Sequence, residues 1–303
     1  MKFEITILGS GSALPTIKRR PSAHFVNCNE RYVLIDCGEG TQLQLRKYKI
    51  KFQRIELILI THLHGDHYFG LVGLLSSMHL LGRKQKMQII GPEGLEELIR
   101  PQLEIGGAYL NFELEFKALS YPTSEIVYED NVIEVASIPL KHRIPTHGFI
   151  VSEKKRLLSL NKSIFDMHEL SVALIPSIRE GKDVVLEDGS VIPNHMLTLP
   201  PEKPKKYAYC SDTLYRESLI EYITGVDLLY HEATFLDIEK DRAKKTFHTT
   251  AAQAGVLAKK ALVGQLMIGH FSSRYDDVTE HLKEASIYFE NVITAEEGMV
   301  VRL

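Results

Sequence analysis

Short apolar runs alternate with segments of helical periodicity along most of the chain. Runs rich in β-branched and aromatic residues predict strands at 2–8, 25–28, 31–35, 55–60, 87–90, 206–210, 228–231 and 266–268. Apolar residues that recur every three or four positions predict helices at 39–48, 68–81, 93–103, 249–262 and 278–290. Pro92 suits the first turn of the helix at 93–103. Because strands and helices alternate in both halves, the pattern predicts a layered α/β architecture.

The segment 152–206 departs from this alternation, since it is polar and rich in turn residues. It carries nine basic residues: Lys154, Lys155, Arg156, Lys162, Arg179, Lys182, Lys203, Lys205 and Lys206. Connections of this length inside compact domains are usually either functional or disordered. We therefore interpret 1–303 as a single domain of two αβ halves with an insertion at about 152–206, and a plain mobile surface loop is the alternative.

Composition narrows the class of protein further. With 303 residues, 44% of them hydrophobic and 25% charged, the chain is typical of a folded globular protein. No apolar run approaches the ~20 residues that span a bilayer, so we expect no membrane association. Three widely spaced cysteines predict no disulfide framework and hence a reduced, intracellular compartment, the cytoplasm. The net charge of −3 argues against general coating of nucleic acid, although a local basic patch could bind it.

The strongest chemical signal is the sequence Thr-His-Leu-His-Gly-Asp-His at 61–67, directly after the apolar strand 55–60. His62 and His64 are two residues apart, so an extended turn can aim both at one metal ion. Asp66 and His67 begin the next helix and can be aimed at a second ion. Imidazole and carboxylate groups suit Zn²⁺, although Mn²⁺ and Fe²⁺ bind overlapping ligand sets. A chance cluster of surface histidines is the alternative, and the strand-to-helix context argues against it.

This turn alone cannot complete a metal site, so further donors are expected at other strand ends. His142, Asp212 and His270 each follow a short apolar strand directly. The two oxygens of the Asp212 carboxylate could bridge two ions. Taken singly, each of these residues is an ordinary loop residue, and together with the turn at 61–67 they form a candidate ligand set. The sequence lacks an HExxH zinc-protease motif.

These motifs, together with residues 36–42, 231–234, 248–250 and 270–275, resemble those of the tRNase Z (ribonuclease Z) family, short form, of the metallo-β-lactamase superfamily. The resemblance extends over essentially the whole chain. It implies a four-layer αββα sandwich with an inserted flexible arm, in which 152–206 corresponds to a tRNA-binding arm. It also implies an endoribonuclease that removes the 3′ trailer from precursor tRNA.

The same resemblance implies two zinc ions per subunit. One ion would be held by His62, His64, His142 and Asp212, and the other by Asp66, His67, Asp212 and His270. Divalent ions at such a pair of sites polarise the phosphoryl group and lower the pKa of a water nucleophile.

Three residues are candidate catalytic groups: Asp66, which is also a candidate ligand, His248 and Glu232. An imidazole can be charged near neutral pH and still give up its proton, so His248 is expected to protonate the departing ribose 3′-oxygen. Glu232 could orient His248 and raise its pKa. The alternatives are a helix-cap acid for Glu232 and a buried hydrogen-bonding residue for His248. Asp36 is expected to fix the tautomer of a ligand histidine.

In the family, the loop that here contains Lys18, Arg19 and Arg20 helps to read the tRNA 3′ end, and a homodimer is implied. Two features differ from the family pattern: Pro21 replaces the usual asparagine after the arginine, and 169–178 replaces a glycine–proline-rich arm tip. Two other readings stay open. One is a hydrolase of small phosphodiesters, lactones or thiolesters on the same fold, and the other is a non-catalytic RNA-binding protein.

Overall fold

The computed structural model describes residues 2–107, 109–154, 157–200 and 203–303. Its strands are β1 (Phe3–Gly9), β2 (Gly11–Ser12), β3 (Ala23–Cys28), β4 (Arg31–Ile35), β5 (Leu57–Leu59), β6 (Met87–Pro92), β7 (Leu114–Leu119), β8 (Ile126–Glu129), β9 (Ile133–Leu140), β10 (Thr146–Glu153), β11 (Ser159–Leu160), β12 (Val184–Val185), β13 (Val191–Ile192), β14 (Thr198–Leu199), β15 (Lys206–Cys210), β16 (Leu228–Glu232), β17 (Gln265–Gly269), β18 (Phe271–Ser272), β19 (Val292–Thr294) and β20 (Val300–Arg302).

The α-helices are α1 (Thr41–Lys47), α2 (Gly65–Tyr68), α3 (Leu71–Leu80), α4 (Leu95–Ile105), α5 (Lys162–Met167), α6 (Ile175–Arg179), α7 (Asn194–Leu197), α8 (Ile220–Ile223), α9 (Lys240–Thr246), α10 (Ala251–Lys260) and α11 (Thr279–Ser286). Short 3₁₀ helices lie at Phe52–Arg54, Val172–Leu174, Glu217–Leu219 and Asp237–Glu239. Within the described ranges, none of the helices has the length and apolar character needed to cross a bilayer.

Two seven-stranded sheets form the centre of the main unit, which comprises 1–152 and 205–303. The first has the order β20-β1-β3-β4-β5-β6-β7 and the second the order β19-β17-β16-β15-β10-β9-β8. Strands β4 to β7 are parallel neighbours in the first sheet, as are β15, β16, β17 and β19 in the second. Because parallel strands end at the same edge, the residues that follow them are brought together there.

Three apolar cores show how the layers stack. The inner faces of both sheets share one core, which includes Ile5, Phe149 and Tyr230. A second core lies between the first sheet and helices α1, α3 and α4. A third lies between the second sheet and helices α8, α10 and α11. Helices therefore cover the outer face of each sheet, which confirms the predicted four-layer αββα sandwich.

Residues 153–204 form a second compact unit. It contains helices α5 to α7 and two antiparallel strand pairs, β11 with β14 and β12 with β13. These elements enclose a small core of Phe165, Ile178, Val184, Ile192 and Leu197. The buried Asn194 side chain donates to the carbonyls of Ile178 and Lys182, at 2.6 and 2.9 Å. The segment that reads as a turn-rich loop is thus folded, although elements of two to six residues leave no periodicity in the sequence.

Three element predictions differ from the structure. The helix predicted at 68–81 is α3, which begins only at Leu71, because the backbone N–H of Gly70 donates to the carbonyl oxygen of Cys37 at 2.9 Å. A Cβ at Gly70 would lie 2.2 Å from the carbonyl oxygen of Gly38, so only glycine fits this approach. Pro92 ends strand β6 and does not lie in the first turn of α4. Strands β7, β8 and β10 were not predicted, whereas β9 is the apolar strand expected directly before His142, for which no bounds were predicted.

Two helical glycines provide a matched test of the packing between α10 and α11. A Cβ at Gly255 in α10 would lie 2.5 Å from the backbone oxygen of Ala285, whereas one at Gly73 in α3 meets only the flexible side chain of Gln42. Alanine is favoured over glycine in helices by about 1 kcal/mol, so G73A is expected to stabilise the protein slightly. G255A is expected to destabilise it by about 1–3 kcal/mol, the cost of overpacking. Urea unfolding midpoints measure both, and equal midpoints would contradict the close packing at Gly255.

Candidate metal centre

All seven predicted ligands lie at one edge of the sandwich, where strands of both sheets end. His62 and His64 lie in the turn after β5, and Asp66 and His67 lie in α2. His142 follows β9, Asp212 follows β15 and His270 follows β17. These residues form two groups of potential ligand atoms, all within 4.8 Å of one another in each group. The structure thus brings together every residue that the sequence predicted as a ligand.

The first group consists of three histidines and one carboxylate oxygen. The Nδ1 atom of His64 lies 3.0 Å from Nε2 of His62 and 3.3 Å from Nε2 of His142. The Asp212 Oδ2 atom lies 3.6 Å from Nε2 of His62 and 3.8 Å from Nε2 of His142. Ligands held ~2.0–2.1 Å from a tetrahedral zinc ion are separated by about 3.3–3.4 Å, which these distances approach.

The second group lies on the other side of the same carboxylate. The Asp212 Oδ1 atom is 3.1 Å from Nε2 of His270 and 3.4 Å from Nε2 of His67. The Asp66 Oδ2 atom is 3.5 Å from Nε2 of His270 and 3.3 Å from Nε2 of His67. One oxygen of Asp212 therefore faces each group, as expected of a bridging carboxylate.

Each buried histidine of the site is held through the nitrogen that does not face the cluster. Nδ1 of His67 lies 2.8 Å from Asp36, and Nδ1 of His142 lies 3.0 Å from the backbone oxygen of Phe247. Nδ1 of His62 lies 3.0 Å from the Thr61 hydroxyl, and Nδ1 of His270 lies 3.0 Å from that of Thr234. Such partners fix the ring orientation and the tautomer of metal-binding histidines. Asp36 occupies the supporting position predicted for it.

The donor set fits a bound divalent metal. Nε2 of His67 and Nε2 of His270 are buried, and within the described residues neither has a hydrogen-bond partner. Buried polar atoms are costly unless they are paired, so two such atoms facing carboxylates indicate a cation site. Burial also lowers the pKa of His62, His64 and His142, which favours the neutral imidazole that a metal requires. Burial opposes the charged form of His67 as well, but the nearby carboxylates of Asp66, Asp36 and Asp212 raise its pKa. Burial opposes ionisation of Asp66, but the adjacent His67 holds its pKa below the usual range.

Glu232 and His248 form a pair beside the two ligand groups. Burial alone would lower the pKa of His248, but the Glu232 carboxylate raises it to about 9. The Glu232 Oε1 atom lies 2.9 Å from Nδ1 of His248 and also accepts from the backbone N–H of Thr213 at 2.8 Å. The other oxygen of Glu232 accepts from the Thr234 hydroxyl at 2.6 Å. The arrangement leaves Nε2 of His248 as the ring nitrogen that is free of Glu232.

An open cleft gives access to this pair and to the ligand groups. Its lining includes His64, Asp66, His142, Asp212 and His248, together with the polar or charged side chains of Ser12, Arg143 and Thr246. The backbone N–H of Ala13 donates to Oδ2 of Asp66 at 2.8 Å. The loop after β1 therefore contacts a candidate ligand directly.

The basic run in that loop is largely engaged with the protein itself. The Arg19 guanidinium donates to the backbone oxygens of Tyr275 and Asp276 at 2.7 and 3.0 Å. Arg20 donates to the backbone oxygen of Thr16 at 2.8 Å. The Lys18 side chain is exposed, and its Nζ atom lies 3.7 Å from Oδ1 of the exposed Asp276. Of the three predicted RNA contacts, Lys18 has the most freedom to reach a ligand, and Arg19 and Arg20 order the loop.

The sequence interpretation missed two threonines and one backbone amide. Thr61 and Thr234 hold ligand histidines, and the N–H of Ala13 holds Asp66. Thr61 directly precedes His62, and Thr234 lies two residues after Glu232. A small hydroxyl residue close to a strand-end motif is therefore a usable signal. The amide of Ala13 leaves no such signal, because any residue except proline supplies it.

Comparisons with known proteins show which families the chain is similar to. Residues 3–290 match a family model described as Anti-Pycsar protein Apyc1. Ribonuclease Z of Bacteroides fragilis (strain YCH46) is 48% identical over 302 residues, covering 100% of this chain and 99% of that protein. The crystal structure of human tRNase Z, short form, superposes with a TM-score of 0.72 at 30% identity, covering 98% of both chains.

A fold-level neighbour supports the architecture alone. The metallo-β-lactamase fold protein YhfI from Bacillus subtilis superposes with a TM-score of 0.72 at 17% identity, covering 100% of both chains. Sequence identity to proteins named ribonuclease Z over the full length is much higher. The chain therefore belongs to the ribonuclease Z family, which has the metallo-β-lactamase fold, and to the family that the Apyc1 model describes.

Proposed function

We propose that this chain is a zinc-dependent endoribonuclease that removes the 3′ trailer from precursor tRNA and leaves a 3′-hydroxyl on the tRNA. The observation that carries the proposal is the Asp212 carboxylate, which presents one oxygen to each of two histidine groups beside the Glu232–His248 pair. This arrangement suits hydrolysis of a phosphodiester whose leaving group needs a proton.

The candidate ligands divide into two sets that share Asp212. His62, His64 and His142 would hold one Zn²⁺ ion, and Asp66, His67 and His270 would hold the other. Bound divalent ions supply Lewis-acid polarisation of the phosphoryl group and a water nucleophile of lowered pKa. Asp66 lines the open cleft, so its carboxylate lies on the side of the second ion site that a bound substrate would face.

His248 is the proposed general acid and Glu232 its positioning residue. The imidazole lines the cleft and is paired with a fully buried carboxylate. That carboxylate favours the charged form of His248, so a proton is available for the ribose 3′-oxygen as the bond to phosphorus breaks. Glu232 also reaches His270 through the Thr234 hydroxyl, which links the acid to the ligand set.

The function is tested with a 3′-extended precursor tRNA, incubated with and without a chelator, and with mapping of the cut. We expect one cut near the discriminator base that disappears with the chelator and returns on addition of Zn²⁺. Metal analysis of the purified protein is expected to give two zinc ions per subunit. Cleavage that persists after the metal is removed would contradict the proposal.

We propose further that the insertion at about 152–206, of which residues 153–204 form the second unit, is an arm that binds tRNA. The sequence supports this role through basic residues near both ends of the insertion. Lys154, Lys155, Arg156 and Lys203 belong to the second unit, whereas Lys205 and Lys206 follow it directly and Lys205 pairs with Asp227 at 2.9 Å. Contacts from such residues to phosphates would position the RNA without reading its sequence. Residues 169–178 include a 3₁₀ helix and helix α6 in place of a glycine–proline-rich tip.

Replacing 153–204 by a short Gly-Ser linker is expected to raise KM for precursor tRNA at least about 10-fold, because phosphate contacts supply much of nucleic-acid affinity. The kcat/KM for bis(p-nitrophenyl) phosphate is expected to stay within about twofold, because that substrate has no RNA backbone phosphates for the insertion to bind. Steady-state kinetics on both substrates measure the difference. An equal loss on both would show that the insertion supports the fold and does not bind tRNA.

Two further features complete the proposal. A homodimer is implied by the family, and exposed apolar side chains on the main unit (Leu43, Phe69, Leu80 and Leu81) offer surface for it. Light scattering measures the mass directly. The three cysteines are free and buried, which supports the cytoplasm as the compartment.

The alternative is a hydrolase of small phosphodiesters, lactones or thiolesters. It would use the same ligand groups, but it would require neither the insertion nor a proton donor matched to a ribose leaving group. A kcat/KM for small esters above that for precursor tRNA would favour this alternative.

A further inference from the structure

We infer that Tyr209 is a positioning residue for the metal-binding edge, because its hydroxyl holds the Asp36 carboxylate that orients His67. The inference rests on the proposed metal site and adds a residue from the core between the sheets. Tyr209 lies in β15, whereas Asp36 follows β4 in the other sheet. The hydrogen bond therefore joins the two halves of the sandwich directly behind the ligands.

The contacts form a short chain from the core to the site. The Tyr209 hydroxyl donates to Oδ2 of Asp36 at 3.0 Å, and the same oxygen lies 2.8 Å from Nδ1 of His67. The Oδ1 atom of Asp36 accepts from the backbone N–H of Thr61 at 2.9 Å. The Thr61 hydroxyl also lies 3.0 and 3.1 Å from the two oxygens of Asp36. Tyr209 is the donor that comes from the other sheet, so it holds Oδ2 from the half of the sandwich opposite to Thr61 and His67 and helps to fix the orientation of the carboxylate.

Core packing holds the hydroxyl of Tyr209 in place. Its ring stacks on that of Tyr230 at 4.7 Å between centroids with 9° between planes. The centroid of the His24 ring lies 4.9 Å from that of Tyr209, with 74° between planes. Tyr209, Asp36 and His67 are all fully buried. In such surroundings a buried carboxylate depends on each of its donors, since no solvent replaces a lost hydrogen bond.

Loss of the Tyr209–Asp36 hydrogen bond is expected to affect the second ligand group through His67. Nε2 of His67 faces Asp66 and Asp212, so any rotation of the ring moves that atom away from both carboxylates. Residues that orient metal ligands affect metal affinity by about 10–100-fold when they are substituted. Tyr209 should therefore affect the binding of one of the two ions.

The neighbouring strand position supplies a matched control. Tyr207 is also fully buried in β15, two residues from Tyr209, but its hydroxyl lies 2.7 Å from Nδ1 of His24, which is not a ligand. Y209F and Y207F each remove one buried hydroxyl from the same strand. They differ in whether the lost hydrogen bond leads to the metal site.

The experiment measures the affinity for Zn²⁺ alone by competition with a chromophoric chelator, alongside thermal unfolding of the metal-free proteins. We expect Y209F to weaken one of the bound ions at least about 10-fold, and Y207F to leave both within about twofold. D36N is expected to weaken the same ion, and adding Y209F to D36N should then cause no further loss, because both changes break one chain of contacts.

Each outcome has a distinct meaning. Unchanged zinc affinity in Y209F, an equal loss in Y207F, or full additivity with D36N would overturn the inference. If Y209F does not fold, D36N alone decides, and wild-type affinity in D36N would overturn it. If the wild-type protein binds no zinc, the proposed metal site fails instead, and the two failures are thereby distinguished.

Discussion

Replacing Asp212 by alanine is expected to reduce kcat/KM for precursor tRNA by at least about 10³-fold, equivalent to ~4 kcal/mol of transition-state stabilisation. The reason is the position of its carboxylate, which lies 3.6 Å from His62 on one side and 3.1 Å from His270 on the other. Its two oxygens lie within 3.8 Å of histidine Nε2 atoms in both ligand groups. Zinc content, measured on the purified variant, is expected to fall with activity.

Asp130 provides the control for a general effect of losing an aspartate. It pairs with Arg31 and accepts backbone N–H bonds from Val132 and Ile133, far from any ligand in the sequence. D130A is expected to lower stability by about 1–2 kcal/mol, as the loss of such hydrogen bonds does, and to retain zinc and activity. Full zinc content in D212A, or equal loss of zinc in D130A, would contradict the bridging position.

Much of the candidate site could be predicted because its residues follow a local rule. His62, His142, Asp212 and His270 each come shortly after an apolar strand, and that order is visible in the sequence. Strand ends of an α/β sandwich meet at one edge, so the fold class predicts that these residues, although far apart in the sequence, form one cluster. The strands that carry the ligands were predicted within two residues, apart from β9, because continuous apolar runs mark buried strands.

The parts that could not be predicted depend on contacts between distant segments. Tyr209 meets Asp36 across 173 positions, and Ala13 meets Asp66 across 53. Nothing local distinguishes these residues, since a tyrosine in an apolar strand and an alanine in a loop are both ordinary. The secondary structure of the insertion was not predicted for a different reason: its core of five buried side chains is assembled from very short elements. Periodicity needs a longer segment than these elements provide.

The position of His248 leads to a prediction that separates proton donation from metal binding. A ribose 3′-oxygen is a poor leaving group unless it is protonated, whereas p-nitrophenolate leaves readily as an anion. A general acid therefore accelerates release of the ribose 3′-oxygen strongly but release of p-nitrophenolate hardly at all. The structure places His248 beside the cleft with Nδ1 taken by Glu232. His248 is not one of the seven predicted ligands, although it forms a further group of potential ligand atoms with Asp212 and His270. It can thus be removed without removing a predicted ligand.

H248A is expected to reduce kcat for precursor tRNA by about 10²–10⁴-fold, the usual contribution of a general acid, and to reduce bis(p-nitrophenyl) phosphate hydrolysis by less than about 10-fold. E232Q keeps the shape of the side chain but removes the charge that favours protonated His248, so it should show the same pattern with a smaller loss. Zinc content is measured in parallel and is expected to match wild type in H248A. A loss of the same size on both substrates, with zinc retained, would show that His248 binds or orients the phosphate and does not donate the proton.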